Sequence, residues 1–189
     1  MSSPFAPETV IKEVVKREID SEITVRQHEI EKLDAKIKIE RCALLPRTGG
    51  EWSGEAGNSR WTPDKDVEPG DRNGTNPDHK TWEEIKNQYD FESVPFNDGE
   101  PDFFEVAKGE VEISDFTDDR DANFSQADEE LARQRGCTPE EVDEWRGANR
   151  YTWHECRDCR TMQKVPTEVH GNISHSGGVS EYKLQQRTV

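Results

Sequence analysis

Between residues 7 and 40 the chain contains no glycine, and its apolar residues recur at helical spacing. Ile11, Val15, Ile19 and Ile23 come every four residues, then Ile30, Leu33 and Ile37 at intervals of three and four. Such a stripe fixes this stretch as an amphipathic helix or helical pair, with a break expected near Asp20-Ser21. It either packs on the rest of the chain or stands out as a coiled-coil arm, and both readings are open. Little apolar material is left elsewhere: the AVILMFWYC set is 30% of 189 residues and mean hydropathy is −1.06. Glycine raises the apolar fraction to about 37%, short of the ~45–50% of an average globular domain. A large core is excluded. No apolar run approaches the ~20 residues of a membrane span. The N-terminus lacks the basic-then-apolar order of a secretory signal, so synthesis in the cytoplasm is expected.

Charge divides the chain more sharply than composition does. Residues 1–45 carry 8 basic and 9 acidic groups, residues 46–150 carry 12 and 28, and residues 151–189 carry 5 and 4. The whole net charge of −16 therefore sits in the middle. That excess is a solvated face or a docking surface for a basic partner. Taken alone, it opposes nucleic-acid binding, because phosphates favour basic surfaces.

Residues 45–81 are rich in Gly, Pro, Asn and Asp and read as turns, yet they hold Trp52 and Trp61. Two tryptophans point to an ordered loop region pinned by its rings. A short helix follows over 81–90, with Thr81 as cap and Glu84 at the capping-box position. The segments VPF, PDFF and EVEI, around the turn Asn97-Asp98-Gly99, read as short strands. Residues 125–148 are helical again. Ser125 is the expected cap of the first helix and Gly136 its closing residue. Thr138-Pro139-Glu140-Glu141 restarts a second helix, with Val142 and Trp145 facing inward.

The chemistry concentrates at 151–178. YTWHE reads as a strand, Asp158 lies in a turn, TMQKV returns as a strand, and Pro166 opens a short helix leading to His170, with His175 just beyond and a break at Gly177-Gly178. The fold class is thus α+β: a long N-terminal helix or helical pair, a loop-rich acidic middle with short strands and helices, and a C-terminal β-hairpin plus helix. The domain plan is an arm over 1–44 and a second domain over 45–189. A hairpin against a helix brings His154 opposite His170 and His175. Three neutral imidazoles form a metal site with open positions, suited to Zn, Ni, Mn or a similar divalent ion. Glu155 points to the opposite strand face from His154. The pair Cys156-x-x-Cys159 has zinc-knuckle spacing but no second CxxC. With two histidines it offers an alternative, a non-enzymatic zinc-binding module that binds other proteins.

The pattern W-H-E…D…M-Q-x-V-P-x-x-x-H-x-x-x-x-H-x-G-G resembles the ββα-metal (HNH) nuclease motif of bacterial toxin domains, closest to the colicin-type DNase/tRNase group with its Trp-His-His. GEWSGEAGNSRW, GEPDF and NFSQAD resemble the region upstream of that motif in polymorphic toxins, so the likeness spans about residues 45–182. It implies a metal-dependent endonuclease acting on DNA more than RNA, one divalent ion (Zn, Ni, Mn or Mg), a cognate immunity protein as partner, and export as an effector by a specialised secretion system. His170 and His175 match the helix histidines that bind the metal, and His154 the first histidine, either ligand or general base. Glu155 stands where relatives carry the second histidine, which serves there as the base. Either Glu155 replaces it, or His154 is the base and an acidic side chain, Asp158, supports the metal. Imidazole is the better-matched acceptor near neutral pH, which favours His154. Arg157, Arg160 and Lys164 around the hairpin are the expected phosphate contacts.

Overall fold

The computed structural model describes residues 7–188, so the first six residues of the N-terminal segment, and the side chain of Ile11 in the helical stripe, lie outside what is described. The chain separates into two compact units, one ending at Glu40 and one beginning at Arg41. The described residues of the first lie on one unbroken helix, α1 (Pro7–Arg41), whose last residue belongs to the second unit, and the break expected at Asp20-Ser21 is absent. Nothing there forces one: neither glycine nor proline interrupts, and Thr24 bonds back to the Asp20 carbonyl at 2.8 Å without stopping the helix. Its stripe stands exposed, Val15, Ile19, Ile23, Ile30 and Leu33 all among the exposed large apolar side chains.

The second unit is α+β. In chain order it contains β1 (Gly50–Trp52), β2 (Arg60–Pro63), α2 (Trp82–Tyr89), β3 (Val94–Asn97), β4 (Glu100–Pro101), β5 (Glu110–Glu112), α3 (Arg120–Arg135), α4 (Pro139–Ala148), β6 (Tyr151–Glu155), β7 (Thr161–Pro166), α5 (Thr167–His170) and α6 (Gly178–Thr188). Two antiparallel sheets form, β1-β2-β3-β4 and β5-β7-β6. The tryptophans expected in loops sit on paired strands, with Trp52 opposite Trp61 and ring centroids 5.3 Å apart.

Local chemistry accounts for most of the helices. The capping boxes of α2 and α4 form as the sequence dictates: Glu84 N–H bonds the Thr81 hydroxyl and Thr81 N–H the Glu84 carboxylate, and Thr138 and Glu141 repeat the exchange. Gly136 closes α3 at φ 69°, where a side chain would be strained. That helix begins at Arg120, not near Ser125. Asp119 caps it by accepting from Asp121 and Ala122 N–H, while the exposed Ser125 hydroxyl donates back to the Asp121 carbonyl. Three further expectations shift. Phe103 is buried and Phe104 exposed in a turn rather than a strand, Trp145 is 40% exposed, and Pro166 precedes the first helical residue of α5. The terminal helix α6 follows where only a break was read.

Two hydrophobic clusters flank the β5-β7-β6 sheet. One gathers Trp61, Trp82, Ile85, Phe96, Phe103, Val165, Val169 and Ile173. The other gathers Val111, Leu131, Val142, Trp153 and Met162 beneath α3 and α4. In the β6-β7 register His154 faces Gln163 and Glu155 faces Met162. Alternation along β6 therefore turns His154 towards the first cluster and Trp153 and Glu155 towards the second.

Candidate functional site

The β6-β7 turn is tied by Asp158, whose carboxylate accepts from the N–H of Arg160 (3.0 Å) and Thr161 (2.8 Å) and from the Thr161 hydroxyl (2.5 Å). This turn presents β6 as an edge strand with His154 on its inner face. After β7, α5 is anchored by Glu168, which is fully buried and accepts from Lys80 Nζ and Tyr89 OH, each at 2.9 Å. His170 is the last residue of α5. On a continuing helix, a residue five positions on would point about 140° away. The helix stops instead, and the coil after it turns His175 back towards His170. Gly171 marks the stop: a Cβ there would lie 2.3 Å from Thr75 Cγ2, so this corner packs against the 70–76 loop too closely for any side chain.

The three imidazoles converge. Their ligand nitrogens lie within 4.8 Å of one another, and their ring centroids are 4.9–5.3 Å apart. His154 Nδ1 is 3.2 Å from His170 Nε2. Two nitrogens bound to one tetrahedral ion at ~2.0–2.1 Å stand about 3.3 Å apart, so this spacing fits a shared cation. His175 Nδ1 donates to the Ile173 carbonyl at 2.7 Å, which leaves the Nε2 lone pair free to ligate. His154 Nε2 is buried without a hydrogen-bond partner. The Phe103 ring packs against all three imidazoles, at 5.0, 5.6 and 5.6 Å. Burial, then the neighbouring imidazoles and Arg120, holds His154 and His170 well below the usual imidazole value. Burial, opposed by the Ile173 hydrogen bond, brings His175 down to about 4. Neutral imidazoles are the form that binds a metal.

The histidines line a pocket of about 440 Å³ together with Arg72, Arg120 and Glu155. Arg120, in the first turn of α3, donates from Nε to Glu155 Oε2 at 3.1 Å, and Asn123 Nδ2 donates to Oε1 at 2.8 Å. The carboxylate is thus held on the α3 side while its strand neighbour His154 faces the other way. Both meet at the open end of the edge strand.

The other residues singled out in the sequence are placed elsewhere. Asp158 is exposed, committed to the hairpin turn, and does not line the histidine pocket. Arg157 is buried and donates to the carbonyls of Asn97 and Asp98, and Arg160 pairs with Glu112. Lys164 is buried with its Nζ 4.1 Å from the Trp145 ring centre, and desolvation pushes its amine down to about 8. None of these cations lines the pocket, because each spends its charge on structure. Arg72 and Arg120 take that position instead, and no spacing in the sequence links them to the histidines. The cysteine alternative assembles only in part: the Cys159 thiol faces the carbonyls of Arg157 and Gly178 and, among the described residues, joins no ligand cluster, whereas Cys156 does.

Residues 93–177 match the family model described as the DNase/tRNase domain of colicin-like bacteriocin. Over this segment the chain is similar to a colicin-type nuclease toxin domain. Comparison with curated proteins found no match. The colicin-type segment carries the three histidines, Glu155, Arg120 and Phe103, while Arg72 reaches the pocket from outside it. Among the described residues no helix is long and apolar enough to cross a membrane.

Proposed function

We propose that residues 45–189 act as a metal-dependent endonuclease of the ββα-metal (HNH) type, hydrolysing DNA phosphodiester bonds as a bacterial toxin, with residues 1–44 as a separate arm. The carrying observation is one pocket that joins three converging, neutral imidazoles to two arginines and one carboxylate. It also answers the objection from net charge. The body is acidic, but its histidine pocket is lined by two arginines, Arg72 and Arg120, against one carboxylate, Glu155, which pairs with Arg120.

His154, His170 and His175 hold the ion. A divalent cation bound there supplies Lewis acidity towards a phosphate oxygen. Arg72 and Arg120 grip the phosphate and offset its developing charge. Because His154 belongs to the ligand group, the proton acceptor for the attacking water is Glu155, the one carboxylate among the described residues lining the pocket. Asn123 fixes its orientation, and Phe103 excludes water behind the imidazoles. The acidic exterior suits capture by a basic immunity protein in the producing cell before export.

A plasmid-nicking assay tests this reading. Nicking that chelator abolishes and Mg²⁺, Mn²⁺, Zn²⁺ or Ni²⁺ restores is expected. Intact plasmid and intact RNA under every metal condition would overturn it, and cleavage of RNA alone would reassign the substrate.

A further inference from the structure

His154 belongs to a second ligand cluster. The Glu100 carboxylate, a His154 nitrogen and the Cys156 thiol also lie within 4.8 Å of one another. Strand geometry explains the meeting: Cys156 follows His154 by two residues and shares its face, and β4 places Glu100 beside the β6-β7 turn. Glu100 is not fully engaged. One oxygen accepts from the Arg157 N–H, and the other stands 3.6 Å from Arg157 Nε. His154 has one ring nitrogen facing His170 and a second, Nε2, that is buried and unpartnered. Glu100 and Cys156 also line a pocket of their own, about 290 Å³, with Asp102 and Asp158 on its wall. An ion therefore has an entry path whose charge favours cations, apart from the pocket that holds His170 and His175.

The donor sets differ in kind. Three imidazoles accept a broad range of divalent ions, whereas a thiolate with one imidazole and one carboxylate favours thiophilic ions such as Zn²⁺, Cd²⁺ or Co²⁺ over Mg²⁺ and Mn²⁺. We infer that Glu100, His154 and Cys156 form a second, soft-metal site that shares His154 with the tri-histidine centre. Binding converts the Cys156 thiol to a metal thiolate and releases its proton to solvent, with no change of oxidation state. Sharing makes the sites antagonistic, because a neutral imidazole offers one lone pair, and His154 spending it beside Glu100 and Cys156 no longer closes the tri-histidine set. Excess soft metal then inhibits, while excess Mg²⁺ does not.

Cobalt titration of the full chain reads this site directly, since only a thiolate ligand gives the near-ultraviolet sulfur-to-cobalt charge-transfer band. The band is expected in the unaltered protein at excess Co²⁺. It should vanish in Cys156→Ser, weaken at least ~10-fold in apparent affinity in Glu100→Gln, and persist in His170→Ala and Cys159→Ser. Persistence in His170→Ala separates this site from the tri-histidine reading, which can fail without it. Circular dichroism checks that Cys156→Ser keeps its fold. No band at excess Co²⁺, or a band that survives Cys156→Ser, would overturn the inference.

Discussion

The indole Nε1 of Trp153 donates a 2.8 Å hydrogen bond to Asp128 Oδ1, and Arg146 grips the same carboxylate through both oxygens. Trp153 immediately precedes His154. This buried triad therefore sets how β6 lies against α3, and with it the depth of the first histidine.

Replacing Asp128 by alanine leaves the buried indole N–H unpaired and the half-buried Arg146 guanidinium with Asp143 as its remaining partner. An unsatisfied buried donor costs about 1–3 kcal/mol, to which the weakened ion pair adds. Urea unfolding of Asp128→Ala should show a loss of that order, and Asp128→Asn, which can still accept from Trp153, a smaller one. Unchanged stability in Asp128→Ala would deny the triad its structural role.

Metal binding and cleavage should separate across the pocket. His154→Ala, His170→Ala and His175→Ala are each expected to lose metal affinity by at least ~10–100-fold. Glu155→Gln should keep the metal and lose hydrolysis by ~10²–10⁴-fold. Calorimetric metal titration beside single-turnover cleavage distinguishes the two. His154→Ala that keeps the metal and loses only cleavage would return the base to His154.

Acid should weaken the metal-free protein. The unfolded chain protonates its imidazoles near pH 6.5, whereas burial holds His154 and His170 well below that value and His175 at about 4. Their contribution is complete above pH 6.5 and is lost as pH falls from there towards 4. Within that window each imidazole changes stability by about 1.4 kcal/mol per pH unit. Urea midpoints of chelator-treated protein at pH 7.5 and pH 5 measure this, and His175→Asn should flatten the slope.

How much of this was legible before the fold was known follows from what each signal depends on. The hairpin, the capping boxes and the convergence of His154, His170 and His175 are local: a strand period, a cap and a short separation fix them. Ser125 misled because a serine inside a helix can bond back to a carbonyl, and only the approach of Asp119 shows where α3 begins. The cations that line the pocket were invisible for a different reason. Arg157 and Lys164 lie beside the histidines in sequence but are buried for structure, while Arg72 and Arg120 arrive through tertiary contacts across the chain.

Salt should act on cleavage in two directions. The net charge of −16 repels a polyanion at long range, and raising salt from about 0.01 to 0.15 M shortens the screening length from ~30 to ~8 Å. Initial rates should therefore first rise with salt. They should fall at higher salt as the Arg72 and Arg120 phosphate contacts weaken. Arg72→Ala and Arg120→Ala should raise KM and flatten the falling limb. A rate that falls monotonically from the lowest salt would show that long-range repulsion does not limit association.

His154 and Glu155 are neighbours in the chain, yet they lean on different cores, one on the Phe103 side of the sheet and the other on α3 through Asn123 and Arg120. Mutational decay of such a domain has two independent routes. In the proposed enzyme, damage beneath α3 would leave an intact metal binder that no longer cuts, and damage around Phe103 a well-posed carboxylate with no cation beside it. If the chain is the toxin proposed above, a lineage losing its toxicity by the first route would retain the acidic outer surface proposed for an inhibitor, and would persist as a harmless decoy for it.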